Sequence, residues 1–273
     1  MNKFIFILLS VLFPLMCCAQ GSFEDVKKAA EKGDAISQYN LGVYYYTGNG
    51  VEQDEKQAVY WFRKAAEQGL AEAQLNMGLC YAIGNGVEQD DQQAAFWYRK
   101  AAEKGIAEAQ HLIGSYYDVG MGVEQDEQQA FYWYRKAAEQ GHVDAQCDLG
   151  LCYAVGTGGA KDFKQAVYWF RKAAEQGLAK AQYCLGLCYA KGTGVEEDKQ
   201  QAFYWYRKAA EQGDADAQYC LGLCYAKGTG VEQDEEQATN WFEKAAEQGH
   251  EGAANALKEL ADKFLEQATG SQR

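Results

Sequence analysis

Ala65-Ala66-Glu67-Gln68-Gly69 decides the fold, because it comes back. The segment begins again at Ala101, Ala137, Ala173, Ala209 and Ala245, and once earlier at Ala29, with Lys32 and Lys104 standing for the glutamine. Successive starts lie 36 residues apart (101 − 65, 137 − 101), and Trp61, Trp97, Trp133, Trp169, Trp205 and Trp241 keep the same interval. A fixed period of this size marks a stack of supersecondary units, each burying its apolar face on its neighbours. The 273 residues are therefore expected to form one array, not the two globular domains that length alone would suggest.

Working outward from Asp34 to Gly69, each unit predicts two helices. Residues 35–47 carry Leu41 and Tyr45 on one face, beside small residues: Ser37, which becomes Ala73, Ala109, Ala145, Ala181 and Ala217 in later copies, and Gly42. Gly48-Asn49-Gly50-Val51 breaks the helix, and Gly48 suits the left-handed position after a helix end. Asp54 then caps a second helix, with Gln57 three residues on to complete a capping box. The same pair recurs at Asp90/Gln93, Asp126/Gln129, Asp162/Gln165, Asp198/Gln201 and Asp234/Gln237. Ala58, Trp61, Phe62, Ala65 and Ala66 face inward, and the helix stops at Gly69. Neither helix is long enough to be stable alone. The expected fold is all-α, a right-handed superhelical solenoid of helix-turn-helix repeats at 34–69, 70–105, 106–141, 142–177, 178–213 and 214–249. Residues 20–33 are expected to cap the array at one end. Residues 250–273 cap the other, amphipathic through Ala256, Leu257, Leu260, Ala261 and Phe264.

These residues resemble the Sel1-like repeat family, a relative of the tetratricopeptide repeats. Ala181-Gln182, Leu185-Gly186, Tyr189, Gly192, Gly194-Val195, Asp198, Trp205 and Lys208-Ala209-Ala210-Glu211-Gln212-Gly213 show one complete copy. The fourth copy departs at Gly158-Gly159-Ala160-Lys161-Asp162-Phe163, where a different bend is expected, and Glu243 stands where other copies have arginine. The resemblance implies an adaptor or scaffold, in bacteria often exported, with a protein or peptide as partner. A cysteine-rich exported branch implies an alternative, β-lactam binding or hydrolysis.

The first 19 residues form a separate segment. Lys3, the apolar run from Phe4 to Met16 and the small residues Cys17-Cys18-Ala19 describe a secretory signal peptide cleaved before Gln20. Lipid attachment at Cys17 or Cys18 is the alternative, with Met16 and Cys17 poor occupants of the preceding position. The run is too short to span a membrane, so the mature chain is expected to have no transmembrane segment. A net charge of −13, one unit more negative once Lys3 is removed, repels phosphate backbones and argues against nucleic acid.

Catalytic groups are sparse. Ser22, Ser37, Ser115 and Ser271 lack the lysine three residues later that a penicillin-recognising serine requires. Lys191-Gly192-Thr193-Gly194 falls at a turn. His111, His142 and His250 have no ligand spacing, and His142 and His250 sit at a loop position expected to be solvated. Glu52, Asp54 and Glu55 cluster, but Asp54 is spent on the helix cap and the loop lacks alternating calcium ligands. No catalytic residue, metal or cofactor is expected.

The cysteines fit no single assignment. Cys80, Cys152, Cys188 and Cys224 share one column of the first helix, Cys184 and Cys220 lie one turn earlier, and Cys147 stands a residue off. Spacing i, i+4 holds Cβ atoms about 5–6 Å apart, against roughly 3.5–4.5 Å in a disulfide. Cys184–Cys188 would therefore be strained. Three alternatives stand: small buried hydrophobes, cross-repeat disulfides such as Cys188 with Cys220, or a four-thiolate metal site. The disulfide or thiol cluster would comprise Cys152, Cys184, Cys188, Cys220 and Cys224. The cysteine-rich branch implies bridges between the two helices of one repeat, but no cysteine here lies in a second helix.

The face opposite Leu41 and Tyr45, at 100° per residue, holds Tyr39, Val43 and Tyr46; Leu75 and Leu79; His111, Ser115 and Asp118; Cys147 and Leu151; Tyr183 and Leu187; Tyr219 and Leu223. If the first helices line the concave side, these residues form an apolar partner-binding stripe. If they pack under neighbouring helices, they are core.

Overall fold

The computed structural model describes residues 22–270, with side chains as far as Asp262. Fourteen α-helices and no strand occur among the described residues. They are α1 (Phe23–Glu31), α2 (Ala35–Thr47), α3 (Glu55–Glu67), α4 (Ala71–Ile83), α5 (Asp91–Glu103), α6 (Ala107–Val119), α7 (Glu127–Glu139), α8 (Val143–Val155), α9 (Phe163–Glu175), α10 (Ala179–Lys191), α11 (Lys199–Glu211), α12 (Ala215–Lys227), α13 (Glu235–Glu247) and α14 (Glu251–Gly270). The chain comprises two compact units meeting at His142 and Val143. Within each, a first helix packs on the second helix of its own repeat, and that helix packs on the next first helix.

Three local devices build every repeat. The first is the turn. Gly48 ends α2 at φ 70°, and its N–H donates to the Tyr44 carbonyl at 2.9 Å. Asp54 then accepts the Gln57 N–H at 3.0 Å, so the N-cap forms as expected. The reciprocal half of the capping box is replaced. The Asp54 N–H donates instead to the Tyr45 carbonyl at 2.9 Å, and Asp90, Asp126, Asp162, Asp198 and Asp234 do the same toward Tyr81, Tyr117, Tyr153, Tyr189 and Tyr225. The end of one helix thus supplies the partner that a glutamine side chain would have given. A complete box is found at Ser22 and Asp25, which open α1. The fourth copy closes in the same way, with only Gly156 shifted to φ 92°, so its altered loop keeps the common bend.

The second device is close approach. A Cβ at Gly42 would lie 2.6 Å from Cδ1 of Phe62, and one at Gly186 2.7 Å from Cδ1 of Tyr206. Without a Cβ, the two helices of a repeat come close enough to bury Phe62 completely. Ala73, Ala109, Ala145, Ala181 and Ala217 are likewise fully buried.

The third device is a column of buried glutamines. Gln182 Nε2 donates to the Ala174 carbonyl of the preceding repeat at 3.1 Å, and its Oε1 accepts from Gln212 Nε2 at 2.7 Å. Gln38, Gln110 and Gln218 make the same backbone contact and receive Gln68, Gln140 and Gln248. Buried amides need both halves satisfied. Gln74 keeps its bond to the Ala66 carbonyl, but its Oε1 is buried without a partner, because the residue thirty positions on is Lys104.

Loops nest on the repeat before. Gly86, at φ 68°, sits against the Glu55 carbonyl so closely that a side chain there would collide with backbone, and Gly122, Gly194 and Gly230 meet Asp91, Phe163 and Lys199 alike. Gly50, with no full repeat before it, has nothing near. At the C-terminal end α14 docks through Ala253, Ala256, Leu257 and Leu260 on Ala238 and Phe242. Ala261 is exposed, so that part of the expected apolar face is corrected, and Ala253 carries the contact instead. The side chain of Phe264 and the whole of residues 1–21, signal segment included, lie outside the described residues.

Candidate functional site

The first-helix face differs between the two units. In the first, Tyr39, Val43, Leu75 and Leu79 are buried, so the expected stripe is core there. The reason is the stacking of consecutive first helices. Tyr39 packs on Phe62 with ring centroids 5.6 Å apart, and its hydroxyl accepts from Asn76 Nδ2 of the next repeat at 3.2 Å. Tyr46, His111 and Asp118 are half-buried. In the second unit Leu151, Tyr183, Leu187, Tyr219 and Leu223 all remain partly exposed. There Leu151, Ala154, Phe163, Phe170, Cys184, Leu187, Cys188, Lys191 and Thr193 enclose a hollow of about 370 Å³. Its walls are mostly apolar, with one charged side chain.

A larger hollow of about 720 Å³ lies among the loops of the first two repeats. Two of its three carboxylates are already engaged: Asp54 caps α3 and Glu55 accepts from Asn85 Nδ2 at 2.9 Å. It is an open recess between loops with polar and apolar lining in equal parts, and the hollow with mostly apolar walls is the better candidate for holding a partner's side chain.

Two histidines expected in solvent are instead built into the stack. His142 Nε2 lies 2.9 Å from Glu108 Oε2, and its ring stacks on His111 at 4.7 Å. His250 stacks on Tyr219 at 4.6 Å, with Nε2 3.3 Å from Asp216 Oδ1. The 36-residue period alone hides this contact, because it joins residues 31 apart (142 − 111, 250 − 219). Burial pushes the Glu108 carboxyl up, but the hydrogen bond and charge of His142, with His111 behind, outweigh it and leave it below the ordinary value.

All seven described cysteines carry thiols. Cys152 and Cys224 are buried, while Cys184, Cys188 and Cys220 are half-buried. Burial pushes Cys188 and Cys224 up to about 11 and Cys220 up to about 12, aided at Cys188 and Cys220 by neighbouring thiols. Cys184 packs against the same buried cluster that holds Cys147, across the boundary between repeats 4 and 5. Cys147 falls outside the expected cluster because its column is otherwise aromatic, leucine or histidine. Among the described residues no three or more of His, Cys, Asp and Glu gather to hold a metal. No helix among them is long and apolar enough to cross a membrane.

One repeated surface feature was not expected. Tyr60, Phe96, Tyr132, Tyr168 and Tyr204 are exposed on second helices, each edge-on to the tryptophan that follows at about 5 Å. Lys64, Lys100, Lys136, Lys172 and Lys208 lie over these rings. The signal was available in the aromatic before each tryptophan, lost only at Asn240.

Comparison with known proteins agrees with the geometry. The structure of c5321, a protective antigen present in uropathogenic Escherichia coli strains displaying an SLR fold, is similar with a TM-score of 0.82 and 41% identity, over 90% of this chain and 53% of that one. A Sel1 repeat protein from Oxalobacter formigenes gives a TM-score of 0.72 at 39% identity, over 86% of this chain and 68% of that one. The Sel1-repeat-containing protein YbeQ of Escherichia coli K12 is 37% identical over 54 residues, 19% of this chain and 17% of YbeQ. The chain thus spans about half the length of c5321 and a smaller share of YbeQ. The Sel1 repeat itself matches six times, at 35–70, 71–106, 107–142, 143–178, 179–214 and 215–250, one residue later than the frame used above. With six consecutive copies matched and their turns, glycines and glutamines in place, this chain belongs to the Sel1 repeat family.

Proposed function

We propose that this chain is an exported scaffold that binds a protein or peptide through the first-helix face of residues 143–273. The observation that carries this reading is the hollow walled by Leu151 and Leu187, an apolar recess of about 370 Å³, with the half-exposed Tyr183 one turn before Leu187 on α10. Partly exposed tyrosine and leucine around a recess are the groups that anchor a partner's apolar side chain. The net charge of −13 favours a partner whose anchor is flanked by lysine or arginine. Export rests on the apolar run from Phe4 to Met16 ahead of Cys17-Cys18-Ala19.

Panning a random peptide library against the purified chain tests the site. Selected peptides are expected to share an apolar anchor beside basic residues. Their affinity should fall at least tenfold with Leu187→Asp and with Tyr183→Ala, and stay unchanged with Tyr60→Ala. Peptides that bind the Leu187→Asp variant as tightly as wild type would place the site elsewhere.

A further inference from the structure

We propose that this chain pairs with a second copy of itself through the exposed face of α11 and α13, the second helices of repeats 5 and 6, about a two-fold axis. These helices are not those of the partner-binding face, and the pairing does not depend on it. Charge is spread unevenly along the second helices. On α11, Lys199, Arg207 and Lys208 outweigh Glu211, whereas on α13 Glu235, Glu236, Glu243 and Glu247 outweigh Lys244. A basic helix in a chain of net charge −13 thus lies in the repeat just before a strongly acidic one. Both belong to the unit that begins at Val143, and α12 packs on each of them.

Shape points the same way. Tyr204 is exposed on α11, edge-on to Trp205 at 5.0 Å, and the equivalent position on α13 holds the smaller Asn240, also exposed. Arg207 and Glu243 occupy a second pair of equivalent positions, both exposed. Arg207 reaches Glu211 at 3.7 Å, a surface pair one turn along its own helix that holds it weakly. The first five copies all carry an aromatic ring and an arginine at these two positions, and the sixth loses both at once. The break in the ladder therefore removes a ring and reverses a charge on the same helix, beside a copy that keeps both.

A two-fold axis parallel to the helices, midway between α11 and α13, lays α11 of each copy on α13 of the other and sets equivalent positions face to face. Lys199 then meets Glu235 of the partner subunit, Arg207 meets Glu243 of the partner subunit, and Tyr204 fills the space that Asn240 of the partner subunit leaves. Each contact is made twice. Lys208 and Lys244 face each other in this register, but glutamates stand three residues beyond both, at Glu211 and Glu247, so each lysine has an opposite charge one turn away. Opposite potentials on a self-complementary face select a second copy, with the aromatic ring as the anchor.

Sedimentation velocity of the full chain over a range of concentrations tests the pairing. The expected result is a monomer–dimer equilibrium at low salt whose dissociation constant rises about tenfold at high salt. Glu235→Lys with Glu243→Arg gives α13 the residues of α11, and Lys199→Glu with Arg207→Glu gives α11 those of α13. Each double variant alone should stay monomeric where wild type dimerises. An equimolar mixture of the two should dimerise again, because every facing pair is then of opposite charge. Tyr168→Ala should change nothing, while Tyr204→Ala, which leaves all charges in place, should weaken the dimer about tenfold. A wild-type chain that stays monomeric, a dimer that either double variant keeps, or a mixture that does not pair would each overturn the proposal. So would a monomer that sediments with phosphatidylglycerol vesicles, which would assign the basic helix to a lipid surface. If a double variant does not fold, Tyr204→Ala decides, and an unweakened dimer refutes the face. Pairing is read without any peptide, so its failure is separate from failure of the scaffold reading.

Discussion

Substituting Gly42 by alanine pits two known effects against each other. Alanine is the better helix former by about 1 kcal/mol in a helix interior, so an unobstructed site would be stabilised. At Gly42 the new methyl would sit 2.6 and 2.7 Å from two carbons of the Phe62 ring and 3.1 Å from the Ala58 carbonyl oxygen. Ordinary carbon contacts lie near 3.5–4.0 Å, so the ring or the helix must yield by about 1 Å. Phe62 is fully buried and has nowhere to turn. Overpacking of this kind costs about 1–3 kcal/mol, which leaves Gly42→Ala with a net loss of about 0–2 kcal/mol, toward the upper end because the ring cannot turn away. Gly114 provides the control, since its nearest neighbours on Tyr134 would be 2.9 and 3.0 Å away. Gly114→Ala should therefore cost less than Gly42→Ala. Urea unfolding, with hydrogen exchange followed on α2 and α3 because repeats can open separately, gives the magnitudes. Trimming the ring with Phe62→Leu should recover about 1 kcal/mol of the loss in a double-mutant cycle. If Gly42→Ala raises the unfolding midpoint, or shows no coupling to Phe62→Leu, close helix approach is not what the glycine serves.

Two further outcomes follow from buried polar groups. Glu108 is held below the ordinary 4.5 in the folded chain, so its contribution to stability is complete above that value and is lost as pH falls through the lower folded value. His142→Gln should raise the Glu108 titration midpoint seen by NMR and start acid destabilisation at higher pH; an unmoved midpoint refutes the contact. Lys104→Gln restores the amide that the other copies place against the preceding glutamine, so it should satisfy Gln74 Oε1 and add about 0.5–1.5 kcal/mol in urea unfolding. No gain there would mean that the amide column does not bear on stability.

Helix boundaries were legible because each depends on nearby residues. Residues 35–47 form α2 as the apolar spacing required, Gly48 takes the left-handed conformation, and Asp54 caps α3. What joins one repeat to the next was less visible. Whether Tyr39 or Tyr183 faces solvent depends on the following first helix, and the two occupy the same column with different burial. The His111–His142 stack crosses a repeat boundary at an interval other than 36, so alignment of columns did not bring the two rings together. The second half of the capping box failed for a related reason: the Tyr45 carbonyl reaches the Asp54 N–H first, through a turn whose path the sequence does not specify.

The nesting of Gly86 on the Glu55 carbonyl bears on how such a chain changes over generations. Copies 2, 3, 5 and 6 each rest a loop on their predecessor, on shelves that copies 1, 2, 4 and 5 supply. Recombination that inserts or removes a whole unit between repeats of this kind therefore rejoins matching surfaces, and no new contact has to be invented. Copy number becomes heritable variation separate from sequence, while an exchange that misses the boundary by even one residue would put a side chain where Gly86 has none.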